Sequence, residues 1–274
     1  DGVKTNQLLH VDYANAKDPA HSSVAGNGDT FFLEESFPYS HEENEFNDFD
    51  VQLLLPHKLS QLGPAVAKAD LNGDGIDDIF LGASHNKTAQ LLISNTEGKY
   101  TPQRIPDFIE DRSYEDVSAC FFDADNDGDK DLYVASGSYE FTENVEQLQD
   151  RLYINDKGNF KRANSKLPKI SSAAAVVIAS DYDGDGDEDL FVGSRVIPGK
   201  YPYAPKSILL INEDGQFKNA ISELAPDLEE IGLVTTAQWG DIDNDGDQDL
   251  VVSGEWMGLE VFLNDQGRLS KNEK

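Results

Sequence analysis

The stretch DYDGDGDEDLFVG, Asp181–Gly193, sets five aspartates and a glutamate within nine residues and then runs straight into an apolar segment. Like charges about 4 Å apart repel by roughly 4 kcal/mol per pair at an effective dielectric of 20. A chain keeps such crowding where a cation answers it. The side chains at positions 1, 3, 5 and 9 are Asp181, Asp183, Asp185 and Asp189. Gly186 at position 6 permits a sharp turn, and Asp187 at position 7 offers its main-chain carbonyl. Hard oxygen donors on a short flexible loop select calcium over magnesium, which demands tighter octahedral geometry and keeps more of its water.

Three more copies align with this one without gaps. They are DLNGDGIDDIFLG from Asp70, DADNDGDKDLYVA from Asp123 and DIDNDGDQDLVVS from Asp241, so successive loops begin 53, 58 and 60 residues apart. Their side-chain donors are Asp70, Asn72, Asp74 and Asp78; Asp123, Asp125, Asp127 and Asp131; and Asp241, Asp243, Asp245 and Asp249. Position 7 falls to Ile76, Asp129 and Asp247. Ile76 defines the role of that position as a main-chain carbonyl, because its side chain cannot bind metal. The first loop has Asn72 where the others have Asp, which makes it the weakest of about four calcium (Ca2+) sites if charge count dominates. An EF-hand shares this opening but requires Glu at position 12 and flanking helices. Position 12 here is Leu81, Val134, Val192 or Val252, and the flanks read as strands.

A second marker recurs in each repeat: LLISNTEGKY, LYINDKGNF, LLINEDGQF and VFLNDQGRL. A strand, a short polar turn containing Gly and another strand make a hairpin signature. Each repeat therefore reads as four strands: an apolar first strand such as SAAAVVIAS, the acidic loop, a second strand such as DLFVG, a variable connection, and the hairpin. Four strands per unit of under about 60 residues, repeated, describe a β-propeller blade. The expected fold is all-β, with four to five four-stranded antiparallel blades over residues 61–274. No convincing amphipathic helix separates the strands, which excludes a parallel α/β fold.

The formal net charge of −30 on 274 residues argues against nucleic acid and anionic membrane as partners. The single cysteine, Cys120, excludes an intramolecular disulfide and reads as a small buried hydrophobe. No stretch reaches the ~20 apolar residues that span a bilayer. The chain opens on DGVKTNQ with neither Met nor a signal peptide, as a processed chain or a fragment would.

The acidic loops resemble, position by position, the calcium loops of FG-GAP/VCBS repeats, as in the integrin α-chain propeller, over roughly Leu62 to Leu269. The segments HEENEFNDFDVQLLLPHKLSQLGP, SRVIPGKYP and GEWM look like a narrower group. That group is the bacterial secreted proteins with VCBS repeats and an ASPIC/UnbV domain, related to cartilage acidic protein. The resemblance implies a propeller of about seven blades, of which this chain would be a part. It also makes residues 1–18 the tail of a preceding ASPIC/UnbV-like domain. Residues 19–60 then form a linker and an N-terminal propeller segment. The acidic run at 41–50 reads as a solvated segment pinned by Phe46 and Phe49, with His41 and His57 as surface or hydrogen-bonded histidines rather than metal ligands.

In an antiparallel blade the calcium loops and the Gly hairpins share one face, and the connections between second and third strands share the other. The loops keep one length, so the variation lies in those connections, where function tends to reside. They carry His85, Tyr139, Phe141, Arg195, Tyr201, Tyr203, Trp256 and Met257. Tyr139, Phe141, Arg195, Tyr201 and Tyr203 are the candidate ligand-binding residues. The competing reading is packing between blades, with Trp256 its first example. The leading functional expectation is a secreted, calcium-stabilised binding or adhesion module for an extracellular protein or glycan, with further domains on the same polypeptide. The alternatives are a polysaccharide lyase or its accessory domain, and a structural spacer. No catalytic residues are assigned, because calcium accounts for every dense acidic cluster.

Overall fold

The computed structural model describes residues 37–272. The expected 1–18 tail and the first part of the 19–60 segment lie outside them. Four antiparallel four-stranded sheets follow one another along the chain, each in the order of its own strands. The first is β1 (Val66–Ala69), β2 (Asp78–Leu81), β3 (Gln90–Ile93) and β4 (Thr101–Gln103). The second is β5 (Asp116–Phe122), β6 (Asp131–Ser136), β7 (Arg151–Asp156) and β8 (Asn159–Arg162). The third is β9 (Ala173–Ser180), β10 (Asp189–Val196), β11 (Ile208–Glu213) and β12 (Gln216–Asn219). The fourth is β13 (Leu233–Gly240), β14 (Asp249–Glu255), β15 (Glu260–Asn264) and β16 (Leu269–Lys271). These are propeller blades. Their first strands, β1, β5, β9 and β13, pack side by side in succession.

The core lies between blades rather than within one. Phe80 and Leu91 of the first blade meet Leu132 and Tyr153 of the second. Phe122 and Tyr133 meet Leu190 and Leu210 of the third, with half-buried Cys120 packed against them. Phe191 and Leu209 meet Val234 and Trp239 of the fourth. Second strands are covered on both faces, which is why DLYVAS is buried at all six positions and reads as a continuous apolar run. Each fully buried Leu or Phe contributes about 1.5–3 kcal/mol relative to exposure.

Close blade approach depends on glycine. A Cβ on Gly82 would lie 2.6 Å from the Asp116 Cβ of the next blade, and one on Gly137 would lie 2.6 Å from the Ala174 carbonyl. Between the first two blades, buried Arg151 donates to Asp116 Oδ1 at 2.6 Å and to Ser136 Oγ at 3.1 Å, while Asp116 Oδ2 accepts the Ala83 N–H at 2.8 Å. Beside this pair sits Glu115, 2% exposed, with its Oε2 lacking any hydrogen-bond partner. Burial pushes its carboxyl up to about 8, with Glu140, Glu43 and Asp116 adding to the rise against a Ser138 hydrogen bond.

The segment 38–62, of which the acidic run at 41–50 was expected to be solvated, threads over the side opposite the acidic loops and touches every blade. Tyr39 donates to the Gly82 carbonyl at 3.0 Å, and Asn44 to Glu140 at 3.1 Å. Gln52 Nε2 donates to the Tyr201 carbonyl at 2.6 Å, and its Oε1 accepts the Tyr139 hydroxyl at 2.5 Å. His57 lies 3.4 Å from Glu255. Leu55 and Leu59 are buried among Tyr139, Leu148, Val196 and Leu233. The acidic run is only partly solvated. Asp48 within the short helix α1 (Asp48–Val51) is fully buried and accepts the N–H groups of Leu59 and Ser60 at 2.6 and 2.9 Å.

Two predictions follow from this packing. Gly137→Ala lowers the unfolding free energy by about 1–3 kcal/mol, because the carbonyl it meets is backbone and cannot rotate away. Gly240→Ala, with nothing within 4 Å of its Cβ, stays within about 0.5 kcal/mol of wild type in the same urea titration. Glu115 gives a pH dependence. Its folded value stands above the unfolded one, so its contribution is complete at pH below the ordinary carboxylate range and is lost as pH rises toward about 8. Glu115→Gln should therefore match wild type near pH 5 and exceed it near pH 8, by on the order of 1 kcal/mol or more. Parallel pH profiles for the two proteins would remove Glu115 from the account.

Candidate metal centre

Each acidic loop turns twice through left-handed backbone. Positions 4 and 6 both have positive φ: Gly73 at 76° and Gly75 at 86°, Asn126 at 58° and Gly128 at 92°, Gly184 at 76° and Gly186 at 100°, Asn244 at 65° and Gly246 at 103°. This explains why position 4 alternates between Gly and Asn, the residues that tolerate this region best. The winding turns main-chain N–H groups toward the side chains. Position 1 collects them first: Asp70 Oδ1 accepts Gly73 N–H at 2.7 Å and Asp70 Oδ2 accepts Gly75 N–H at 2.8 Å. Asp123 accepts Gly128 N–H at 3.0 Å and Asp181 accepts Gly184 N–H at 2.9 Å. The position-5 carboxylates Asp74, Asp127, Asp185 and Asp245 accept the N–H of position 7, from Ile76, Asp129, Asp187 and Asp247, at 2.8–3.0 Å.

Position 9 is the anchor. Asp78, Asp131, Asp189 and Asp249 are fully buried at the start of each second strand. One oxygen of Asp131 accepts Ala124 N–H at 2.8 Å and the other accepts Asn155 N–H at 2.7 Å. Asp78 and Asp249 repeat this with Leu71 and Ser94, and with Ile242 and Asn264. Asp189 Oδ1 accepts Asn212 N–H at 2.8 Å. The carboxylate thus ties the loop to the far end of the third strand. In Asp78 the Ser94 hydroxyl also donates to Oδ1, at 3.0 Å; the oxygens of Asp131 and Asp249 each keep a second lone pair.

The aspartates at position 7 do more than supply a carbonyl. Asp129, Asp187 and Asp247 each accept, through the side chain, the N–H of a hairpin residue: Lys157 at 2.8 Å, Asp214 at 2.9 Å and Gln266 at 3.2 Å. Those hairpin residues all have φ of 50–52°. The loop therefore braces the strained turn beside it, and loops and hairpins do share a face. The Ile76 carbonyl, where no such side chain exists, accepts Ser94 Oγ at 3.2 Å.

The carboxylates converge as a cation site requires. In the second loop, oxygens of Asp123, Asp125 and Asp127 lie within 4.8 Å of one another; in the third, those of Asp181, Asp183 and Asp185; in the fourth, those of Asp241, Asp243 and Asp249. Asp123 Oδ1, Asp125 Oδ1 and Asp189 Oδ2 are buried with no hydrogen-bond donor. Burial, then the neighbouring carboxylates, raises the position-3 aspartates Asp125, Asp183 and Asp243. The first loop differs. Asn72 replaces the position-3 carboxylate, and Asp70 is lowered, chiefly by the Gly75 N–H. Convergent hard oxygens, orphaned in the second and third loops, fit a bound cation at the second, third and fourth loops, and the first has the same frame with less charge.

On the opposite face the five candidate binding residues divide. Tyr139 is 1% exposed and Tyr201 8% exposed, both held by Gln52; they are packing residues and cannot be surface anchors. Phe141 is half-buried with its ring edge-on to His85 at 5.1 Å. Arg195 is paired with Glu255. Only Tyr203 stands free, 69% exposed. Trp256, expected to pack, is instead 81% exposed, with φ of 59°. Its Nε1 donates to the Tyr201 hydroxyl at 2.5 Å, and that hydroxyl donates to Glu255 at 3.2 Å. The GEWM tetrapeptide held the residues; their orientation depends on Tyr201, 55 positions away.

Residues 70–134 match the model of an FG-GAP-like repeat. No curated protein matches the chain. Solved structures similar to it include "Crystal structure of BBS1N in complex with ARL6DN, soaked with lead", at 15% identity and a TM-score of 0.44, covering 78% of this chain and 57% of that one. Another is "Crystal structure of the V. cholerae biofilm matrix protein Bap1", at 17% identity and a TM-score of 0.35, covering 77% of this chain and 30% of that one. The chain thus spans less than two thirds of either, and its first and second blades carry a stretch similar to an FG-GAP-like repeat.

Proposed function

We propose that this chain is an extracellular, calcium-stabilised binding or adhesion module. The observation that carries the reading is the separation of two faces. One holds four loops of invariant length, with convergent carboxylates in three of them; the other holds connections of variable length and sequence. Positions 1, 3, 5 and 9 and the carbonyl of position 7 are the groups that would hold calcium. Calcium supplies fixed positive charge, which converts the repulsion among these oxygens into coordination. The chain's own residues supply the rest: the left-handed turns aim the carboxylates, and the position-9 aspartate fixes the loop to the blade. A partner, protein or glycan, is taken on the opposite face, which calcium serves by holding the blades in place. The FG-GAP-like match supports the calcium and extracellular parts of this reading.

Calcium should raise the melting temperature and a chelator should lower it, since a ligand at about 100 times its Kd stabilises the folded state by roughly 2.7 kcal/mol per site. Asp185→Ala should remove one calcium from a calorimetric stoichiometry of about four and leave the others intact, because the loops stand on separate blades. The first loop, with Asn72, should be the last to fill. A melting curve indifferent to chelation would sink the calcium part of this reading.

A further inference from the structure

Trp256 combines three features that packing does not explain. It is 81% exposed, it occupies left-handed backbone at φ 59°, and its indole N–H is consumed within the protein by Tyr201. A bulky side chain in that region is unfavourable and persists only where its surroundings hold it. Here the Tyr201 hydroxyl, itself fixed on Glu255 at 3.2 Å, holds the indole. The ring is thereby held in one orientation before any partner arrives. With its only polar atom already satisfied, what it offers to solvent is aromatic surface.

Polar groups stand at its base. Arg195 holds Glu255, and the exposed His57 lies 3.4 Å from the same carboxylate and 3.3 Å from the Arg195 guanidinium. Burial alone would raise Glu255, but the hydrogen bond and charge of Arg195, with His57 and Tyr201, hold it below the usual carboxylate range. The pair is therefore charge-balanced, with donors and an acceptor beside the indole. Tyr203, two residues along from Tyr201, presents a second exposed ring at 69%.

We propose that Trp256, with Tyr203 and the Arg195–Glu255–His57 group, is a binding platform for a neutral polysaccharide. A flat, preorganised aromatic face receives the apolar face of a pyranose, while the polar group at its edge takes the hydroxyls. The net charge of −30 disfavours an acidic glycan, and the balanced ion pair gives no reason for a basic one. Leu53 and Leu54, 82% and 90% exposed nearby in the chain from Gln52, are what a protein partner would use instead. The proposal rests on the reading that this face, rather than the loop face, meets a partner.

The two tryptophans make the test direct. Trp239 is 8% exposed and stacked on Tyr182, so solvent-sensitive emission comes from Trp256. The calcium-loaded chain is titrated with neutral hexasaccharides of β-1,4-linked glucose, β-1,4-linked N-acetylglucosamine and α-linked mannose, with calorimetry alongside. At least one should shift the emission saturably, with an affinity that high salt leaves unchanged. Trp256→Ala should weaken it more than about tenfold, Trp256→Phe and Tyr203→Ala by less, all with unchanged melting temperature. No saturable binding by any of the three, or binding that survives Trp256→Ala, overturns the proposal. So does sedimentation as a dimer that Trp256→Ala and Leu54→Ser both dissolve, which would make the face a protein surface and leave the binding-module reading standing. Saccharide binding that Trp256→Ala spares but substitution of exposed loop residues abolishes would overturn both.

Discussion

Each blade is organised around one buried carboxylate. A fully buried aspartate is costly unless its oxygens are hydrogen-bonded. Position 9 resolves this with backbone: in three blades one oxygen holds the loop's second residue and the other holds a residue within one position of the end of the third strand. Loop, second strand and hairpin thus share a single fixed point. The loop's length follows from this, because an inserted residue would move the position-2 N–H away from its acceptor. So does the constant face, because the hairpin cannot drift from the loop to which it is tied.

The same geometry joins blades to each other. Asn264 accepts Gly267 N–H within its own turn at 2.9 Å and donates to the Gln248 carbonyl of its own loop at 3.1 Å and to the Tyr182 carbonyl of the preceding loop at 2.6 Å. Asn212 repeats the pattern on Gly215, Glu188 and Ala124. Asn155 has the turn and its own Lys130 carbonyl, but no donation to Leu71. Between the first and second blades, a groove of about 680 Å³ lined by Leu71, Gly128 and Phe160 opens instead, bridged by Gln103 to the Gly158 carbonyl at 2.8 Å. The same asparagine, three residues before the hairpin glycine, thus locks neighbouring loops together between the second and third blades and between the third and fourth.

What was legible in the sequence was whatever is local. The acidic loops, the hairpins and the four-strand blade all repeat within about 60 residues, and each element is specified by residues beside it in the chain. The donor set could be read for the same reason: alternate side chains of one short loop must converge. The double role of Asp129, Asp187 and Asp247 was not, because bracing a hairpin joins residues 19–28 positions apart. The 38–62 segment was illegible for a stronger reason. Gln52 meets Tyr201 across 149 positions and His57 meets Arg195 across 138, and nothing in the acidic run forecasts either partner. Tyr139 and Tyr201 were misjudged as surface for the same cause, since it is this segment that covers them.

The two faces are therefore not independent surfaces of a rigid disc. On the loop face each blade is tied to its own loop, and beyond the first pair to the preceding one. On the opposite face one continuous segment is pinned to all four blades, and Tyr201, which it holds through Gln52, in turn holds Trp256. Separation of two blades would loosen the segment that spans them, and with it the support of the exposed indole. Charge on one face can act on the other only through this packing, since exposed charges more than about 8–10 Å apart are largely screened at physiological salt. A cation bound among the aspartates would then matter to the far side by keeping the blades at the spacing that Gln52 and Tyr201 require.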